Sequence, residues 1–195
     1  MASTDIGIVN MALTRCGASP ITALDDENDK ARLALEYYEP TVQAMLRDHP
    51  WNFAVRRLAL AESSEEPINE WDHQFPLPSD PYCIRPLSVN CGQTDFVIEG
   101  RSILTNDSAV TLRYVARVNE GDFDPLFVQA LVLTLASKFM YRLTVSDASR
   151  AAILQELETV AKPAARTADA MEQREPYVDP ATESTWVAAR HGQMT

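Results

Sequence analysis

The chain has 195 residues, 46% of them apolar, and a formal charge of −11 with a sequence pI near 4.7. That length predicts one domain, or one domain with a sizeable insertion, burying roughly 70% of its unfolded surface, which excludes general disorder. The charge excludes a protein that wraps nucleic acid through its phosphates, because that requires clustered Lys and Arg.

At the N-terminus, Ser3-Thr4-Asp5 offers capping side chains ahead of Ile6, Val9, Ala12 and Leu13, which share one helical face. Gly17 and then Pro20 end this first helix. No basic segment followed by a long apolar run appears here, so no signal peptide is expected. ITALDDEND reads as a polar connection, with Asp25 or Asp26 capping a long helix over about 27–48. Ala31, Ala34/Leu35, Tyr38, Val42 and Met45/Leu46 recur along it at intervals of three or four. Pro40 is expected to kink or split that helix. Pro50 forbids its continuation, and Trp51 and Phe53 follow at once, with Arg56-Arg57 just beyond.

From 54 to 118 helical periodicity vanishes, and five prolines punctuate the chain. Strands are predicted at Tyr82 to Val89, Asp95 to Glu99, Ser102 to Thr105 and Ala109 to Val118. FVIEGRSILT reads as a hairpin. In VTLRYVARV, Val110, Leu112, Tyr114, Ala116 and Val118 point one way and Thr111, Arg113 and Arg117 the other, with Val115 breaking the polar side. Helix returns after Asp122 to Asp124, with Pro125 tolerated in the first turn. Leu126 to Leu143 is apolar nearly all round, as suits a central helix. Ser146-Asp147 caps a last helix, in which Ala148, Ala151/Ala152, Leu154, Leu157, Val160/Ala161 and Ala164/Ala165 form a small-residue stripe and Pro163 a bend. Beyond about 174 periodicity is lost. The predicted fold is α+β, mainly α: a bundle of about four helices (1–53 and 121–174), an antiparallel β module (54–120) inserted between the second and third, and an extended C-terminal tail (175–195).

Residues that carry chemistry are sparse. Cys16, Cys83 and Cys91 form no C-x-x-C pair, so neither a disulfide framework nor a zinc site is implied, and reduced thiols are expected. His49, His73 and His191 have no second ligand at metal spacing and read as surface or cap histidines. Asp25 to Asp29 superficially matches a calcium loop but lacks its glycine and runs straight into a helix. No phosphate-cradling or nucleophile-elbow motif is present. No cofactor, metal or catalytic residue is therefore assigned, and no segment reaches 18 apolar residues without polar interruption. The aromatic residues stand out instead. Trp51, Phe53, Trp71 and Phe75 are expected to anchor the joint between helices and β module. Tyr177, Trp186 and Arg190 on the tail are expected at an interface, since Trp, Tyr and Arg lead at hot spots.

The run ALTRCGASPITALDDENDKARLALEYYEPTVQAMLRDHPWNFA resembles the opening of the phage head-to-tail adaptor family of the tail tubular protein A type. That pattern has a short helix, a Gly turn, an Ile-x-x-Leu, an acidic cap, a long Ala-rich helix and a Pro-Trp-x-Phe-Ala ending. WDHQFPLPSDPYCIRPL resembles the family's first strand, although Pro81-Tyr82-Cys83 departs from its smoother start. EGRSILT, LRYVARV and FDPLFVQAL follow in the family's order, so the likeness covers roughly residues 3 to 145. The resemblance implies a structural virion protein of the phage neck, not an enzyme. It would form an oligomeric ring, commonly of twelve, as a connector between the portal protein and the tail tube or nozzle. Genome DNA would pass through the bore during ejection without specific binding, and no membrane is involved. Arg56 and Arg57 would then make intersubunit or portal-facing ion pairs. The competing reading is a soluble helical regulatory or ligand-binding protein, which needs a roomy pocket between the second and third helices. A third is an enzyme whose acids or His–acid pair converge only in three dimensions.

Overall fold

The computed structural model describes residues 4–65, 67, 70–143 and 147–172. Its architecture is mixed α+β. Among the described residues two α-helices, α1 (Asp5–Arg15) and α2 (Asp29–Asp48), precede six strands, and three further α-helices follow them. The strands are β1 (Val55–Leu60), β2 (His73–Pro76), β3 (Cys83–Val89), β4 (Phe96–Glu99), β5 (Ser102–Thr105) and β6 (Val110–Ala116). They form two antiparallel sheets, ordered β1-β6-β3 and β2-β5-β4. After them come α3 (Pro125–Leu143), α4 (Asp147–Glu156), a π-helical turn Leu157–Ala161 and α5 (Lys162–Met171).

The helix ends follow from their caps. The Thr4 hydroxyl accepts from the Gly7 N–H at 3.1 Å to start α1, and Gly17, at φ +72°, takes the left-handed position that ends it. For α2 the cap is Asn28 rather than Asp25 or Asp26: its side-chain oxygen Oδ1 accepts from the N–H groups of Lys30 and Ala31 at 3.0 and 2.9 Å. Asp26 instead organises the preceding turn, accepting from Thr22 and Ala23. Pro40 does not split α2. Its ring is exposed and so is Glu36 four residues earlier, so the carbonyl that loses its partner faces water. Asp124 caps α3 through the N–H groups of Leu126 and Phe127. Ser146, the expected cap of the last helix, lies outside the described residues.

Helix α3 packs against α1, α2, α4 and α5, and 11 of its 19 residues are buried. By length and composition alone it could cross a membrane, but its apolar faces are covered by those neighbours. In the last helical stretch the buried positions are Ile153, Leu157, Ala161, Ala165 and Asp169. This corrects the expected stripe: Ala148, Ala151, Ala152 and Ala164 are exposed. An interval of four suits a segment locally wider than 3.6 residues per turn. The π turn sits one turn before Pro163, whose ring would crowd the carbonyl of Thr159 in a regular helix.

Strand β6 is the centre of its sheet, pairing with β1 on one side and β3 on the other. Val110, Leu112, Tyr114 and Ala116 are buried on one face, and Val115 is buried on the other. Pro86, with no N–H to donate, sits where β3 loses register with β6. The FVIEGRSILT hairpin is present as β4–β5, with Glu99 opposite Ser102. Gly100, at φ +56°, makes its two-residue turn. Strands β1 and β2 go unpredicted by the sequence pattern. Side chains from both sheets and all the helical segments share one core.

Candidate functional site

The stretch after Pro50 is where the chain leaves α2 for β1, and it is heavily cross-braced. Trp51 is 4% exposed, and its indole N–H donates to the carbonyl of Met45 at 2.9 Å. That carbonyl is among those a helix C-terminus leaves without an intrahelical partner. The Trp51 ring lies edge-on to Phe127 at 5.1 Å, and Phe53 stacks on Trp51 at 6.1 Å. Phe53 also meets Phe127 at 5.1 Å and Phe123 at 5.9 Å. Phe123 and Phe127 flank the start of α3, so these rings fill the place where the chain departs from one helix and enters the next.

A polar clamp lies beside the rings. Asp169 of α5 is 6% exposed. One carboxylate oxygen accepts from the Asn52 backbone N–H at 2.7 Å, and the other is 2.9 Å from His49 Nε2. The Asn52 side-chain amide donates to the Asp169 carbonyl at 2.6 Å. Nearby, Arg166 pairs with Asp48. A His–acid pair therefore does meet inside the fold, but both carboxylate oxygens are taken and the imidazole packs edge-on against Trp51 at 4.7 Å. The arrangement ties α5 to the end of α2. His73, the second histidine expected to stand alone, is also paired, with Glu62 at 2.6 Å.

A second brace lies just past the end of β6. Arg117 bonds both oxygens of Glu39 on α2 and, at 2.5 Å, Glu120. Burial opposes the charge on Arg117, but the two carboxylates outweigh it and raise its pKa. Burial also works against ionised Glu39, yet the bonds from Arg117 and Gln43 leave its pKa below the ordinary value. Tyr38 donates to Glu120 at 3.3 Å. Burial and the Glu120 charge push the phenol's pKa upward.

Of the other residues singled out in the sequence, Phe75 is buried on β2, opposite Ile103. Trp71 is half-buried in the connection before β2. Arg56 is half-exposed, donating to the carbonyls of Phe53 and Val55 and lying 3.9 Å from Asp122. Arg57 is exposed on the outer face of its sheet. Tyr177, Trp186 and Arg190 lie outside the described residues, as does His191. Among the described residues no three metal-ligating side chains gather.

Concave features accompany these braces. A groove of about 670 Å³ runs between α1, α3 and the α4–α5 segment, with Met11, Val128, Val132 and Val160 along it and the Arg15–Glu156 pair at its rim. A smaller concavity of about 190 Å³ on the β1-β6-β3 sheet is lined by Arg57, Ser88, Cys91, Thr111 and Arg113. It is bordered by three consecutive residues at positive φ, Asn90, Cys91 and Gly92. The Asn90 amide holds that turn by donating to Asp107 and the Ala109 carbonyl and accepting from the Thr111 N–H. The sequence signal for Asp169, the densest node of the joint, is nil, since it sits 120 residues from His49 in an alanine-rich helix. No known protein-family model matches the chain, and no curated protein is similar to it.

Proposed function

We propose that this chain is a structural virion protein: a head-to-tail adaptor that forms a ring below the portal, joins capsid to tail and lets genome DNA pass. The observation that carries the reading is the order of its pieces. Two helices ending in Pro-Trp-x-Phe-Ala, a strand-rich middle with EGRSILT and LRYVARV, and FDPLFVQAL opening a long apolar helix follow the sequence order of the adaptor family. In this reading 1–53 and 121–174 make a helical bundle, 54–120 an inserted β module and 175–195 an extended tail.

The braced joint supports it. A connector that carries load between two assemblies needs stiff internal seams, and the Trp51 rings with the Asp169 clamp supply one. The side chains that meet are spent on holding helices together, so the reading is non-enzymatic. The charge of −11 per copy, multiplied around a ring, would give a negative bore along which DNA slides without sticking. The chain would be made in the host cytoplasm and end in the neck of the virion.

Electron microscopy of the full chain mixed with portal particles tests this directly. A stacked ring beneath the portal is the expected result, and portal particles that stay bare would sink it. Truncation before Pro176 is expected to leave a folded protein that no longer decorates the portal, because Tyr177, Trp186 and Arg190 are assigned to that contact. A second reading, a ligand-binding or regulatory helical protein, is favoured by one observation. A groove of about 670 Å³ does exist, although between α1, α3 and the last helices rather than between α2 and α3. Saturable binding of a small apolar probe there, with bare portals, would move the conclusion to that reading.

A further inference from the structure

Among the described residues five arginines of this acidic chain have a carboxylate partner: Arg15 has Glu156, Arg32 has Asp29, Arg56 has Asp122, Arg117 has Glu39 and Glu120, and Arg166 has Asp48. The outer face of the β1-β6-β3 sheet gathers three that have none. Arg57 on β1 stands directly opposite Arg113 on β6, and Arg113 opposite Ser88 on β3. Arg85 follows beside Val115. Like charges facing each other across a ladder repel. None of the three makes an ion pair among the described residues, and the Nε groups of Arg85 and Arg113 are buried without an acceptor. Buried donors are ordinarily satisfied. Arg57 and Arg113 line the 190 Å³ concavity together with Ser88, Cys91 and Thr111. Two guanidinium forks and two hydroxyls around an open hollow are a carboxylate-binding set.

We propose that this face is a docking surface for carboxylates, and that its occupant is the acidic turn Asp25–Asp29 of a second copy of this chain. Nucleic acid is the poorer fit. Three arginines against a charge of −11 cannot neutralise the run of phosphates that holds a backbone. The acidic turn fits on two grounds. Asp25 and Glu27 are exposed and make no hydrogen bond or ion pair among the described residues, and the Asp29 side chain, 3.8 Å from Arg32, is 95% exposed. Within one copy α2 holds the turn away from the end of β3 that it touches. Arg47, at the far end of α2, donates to the Ile84 carbonyl of β3 at 2.7 Å. The 18 residues of helix between Asp29 and Arg47 hold the turn roughly 27 Å from that junction, at 1.5 Å per residue. Complementary patches at two different places on one molecule make a head-to-tail contact, which closes into a ring when the rotation allows. The inference thus specifies the subunit contact of the adaptor reading and rests on its assembly component.

The test is intermolecular paramagnetic broadening between two forms of the full chain. One carries Thr22→Cys with Cys91→Ser and a nitroxide beside the acidic turn; the other is isotope-labelled and otherwise native. The expected result is salt-sensitive loss of amide intensity at Arg57, Ser88, Thr111 and Arg113. Arg57→Glu with Arg113→Glu in the observed chain should abolish that loss, and Asp25→Lys with Glu27→Lys in the spin-labelled chain should restore it. Absence of broadening, broadening centred elsewhere, or indifference to the charge swaps overturns the proposal. Should the double arginine reversal fail to fold, Asp25→Lys with Glu27→Lys against the native face makes the same test by loss alone. A ring on the portal without this broadening defeats the inference and spares the adaptor reading. The broadening with bare portals does the reverse.

Discussion

The Asp169 carboxylate lies 2.9 Å from His49 Nε2 and also accepts the Asn52 backbone N–H at 2.7 Å, so one buried side chain of α5 fastens both residues that flank Pro50 and Trp51. Replacing it by alanine leaves the Asn52 N–H and the imidazole without their acceptor in a largely dry place. Orphaning a buried donor costs about 1–3 kcal/mol, so Asp169→Ala should lower the urea midpoint by an amount of that order. Asp169→Asn keeps one carbonyl oxygen for Asn52 and should lose less. Equal stability of Asp169→Ala and the native chain would show that the clamp holds nothing.

Trp51 makes a sharper case because it combines volume with a hydrogen bond. Trp51→Ala removes a buried ring from contact with His49, Phe53 and Phe127. Truncations of this kind cost about 3–5 kcal/mol. Trp51→Phe restores most of the packing but leaves the Met45 carbonyl without its indole donor, a penalty of about 1 kcal/mol. Chemical denaturation of the three proteins should therefore rank native, then Trp51→Phe, then Trp51→Ala.

How much of this was legible beforehand depends on sequence distance and on which faces are covered. Helices α1 and α3 announce themselves because Thr4 and Asp124 cap uninterrupted apolar periodicity, and β6 because its alternating residues are buried on one face. Strand β1 is hidden by Arg56-Arg57, which interrupt alternation on a half-exposed edge, and β2 is four residues long and ends in Pro76. The sequence hides the Asn28 cap, because four acidic residues around it look equally able. A 3.6-residue period misplaces the stripe in the last helix, because a π turn widens the coil there. Trp51 and Phe53 drew notice as aromatics after a forced helix stop, but their clamp did not: Asp169 becomes informative only once α5 lies against the end of α2. Likewise Arg57 and Arg113 become a feature only when the register places them opposite each other.

The Glu39–Arg117 pair sets an acid limit on stability. Glu39 has a folded pKa below its ordinary 4.5, so its contribution is complete above that value and is lost as the pH falls through the folded one. Stability should be flat in this respect from neutral pH to about 5 and then decline. In Glu39→Gln the decline should be shallower, because the group whose proton uptake favours unfolding is gone. Denaturation midpoints measured from pH 7 down to 3 check this, and parallel acid limbs for the two proteins would contradict it.

Cysteine reactivity offers a test of burial at three places at once. Burial pushes the thiols of Cys16 and Cys83 up to about 11, while Cys91 is exposed on its positive-φ turn. At pH 8 a thiol with a pKa near 11 is ionised in roughly one molecule per thousand, and a buried one must also wait for local opening before a reagent reaches it. The thiolate is the reactive form. An aromatic disulfide reagent should therefore titrate one thiol in a fast phase and two only on denaturation, and Cys91→Ser should erase the fast phase alone. Fast release of more than one equivalent from the native chain would mean that the core around Cys16, beneath α3, or around Cys83, at the start of β3, opens far more readily than its packing implies.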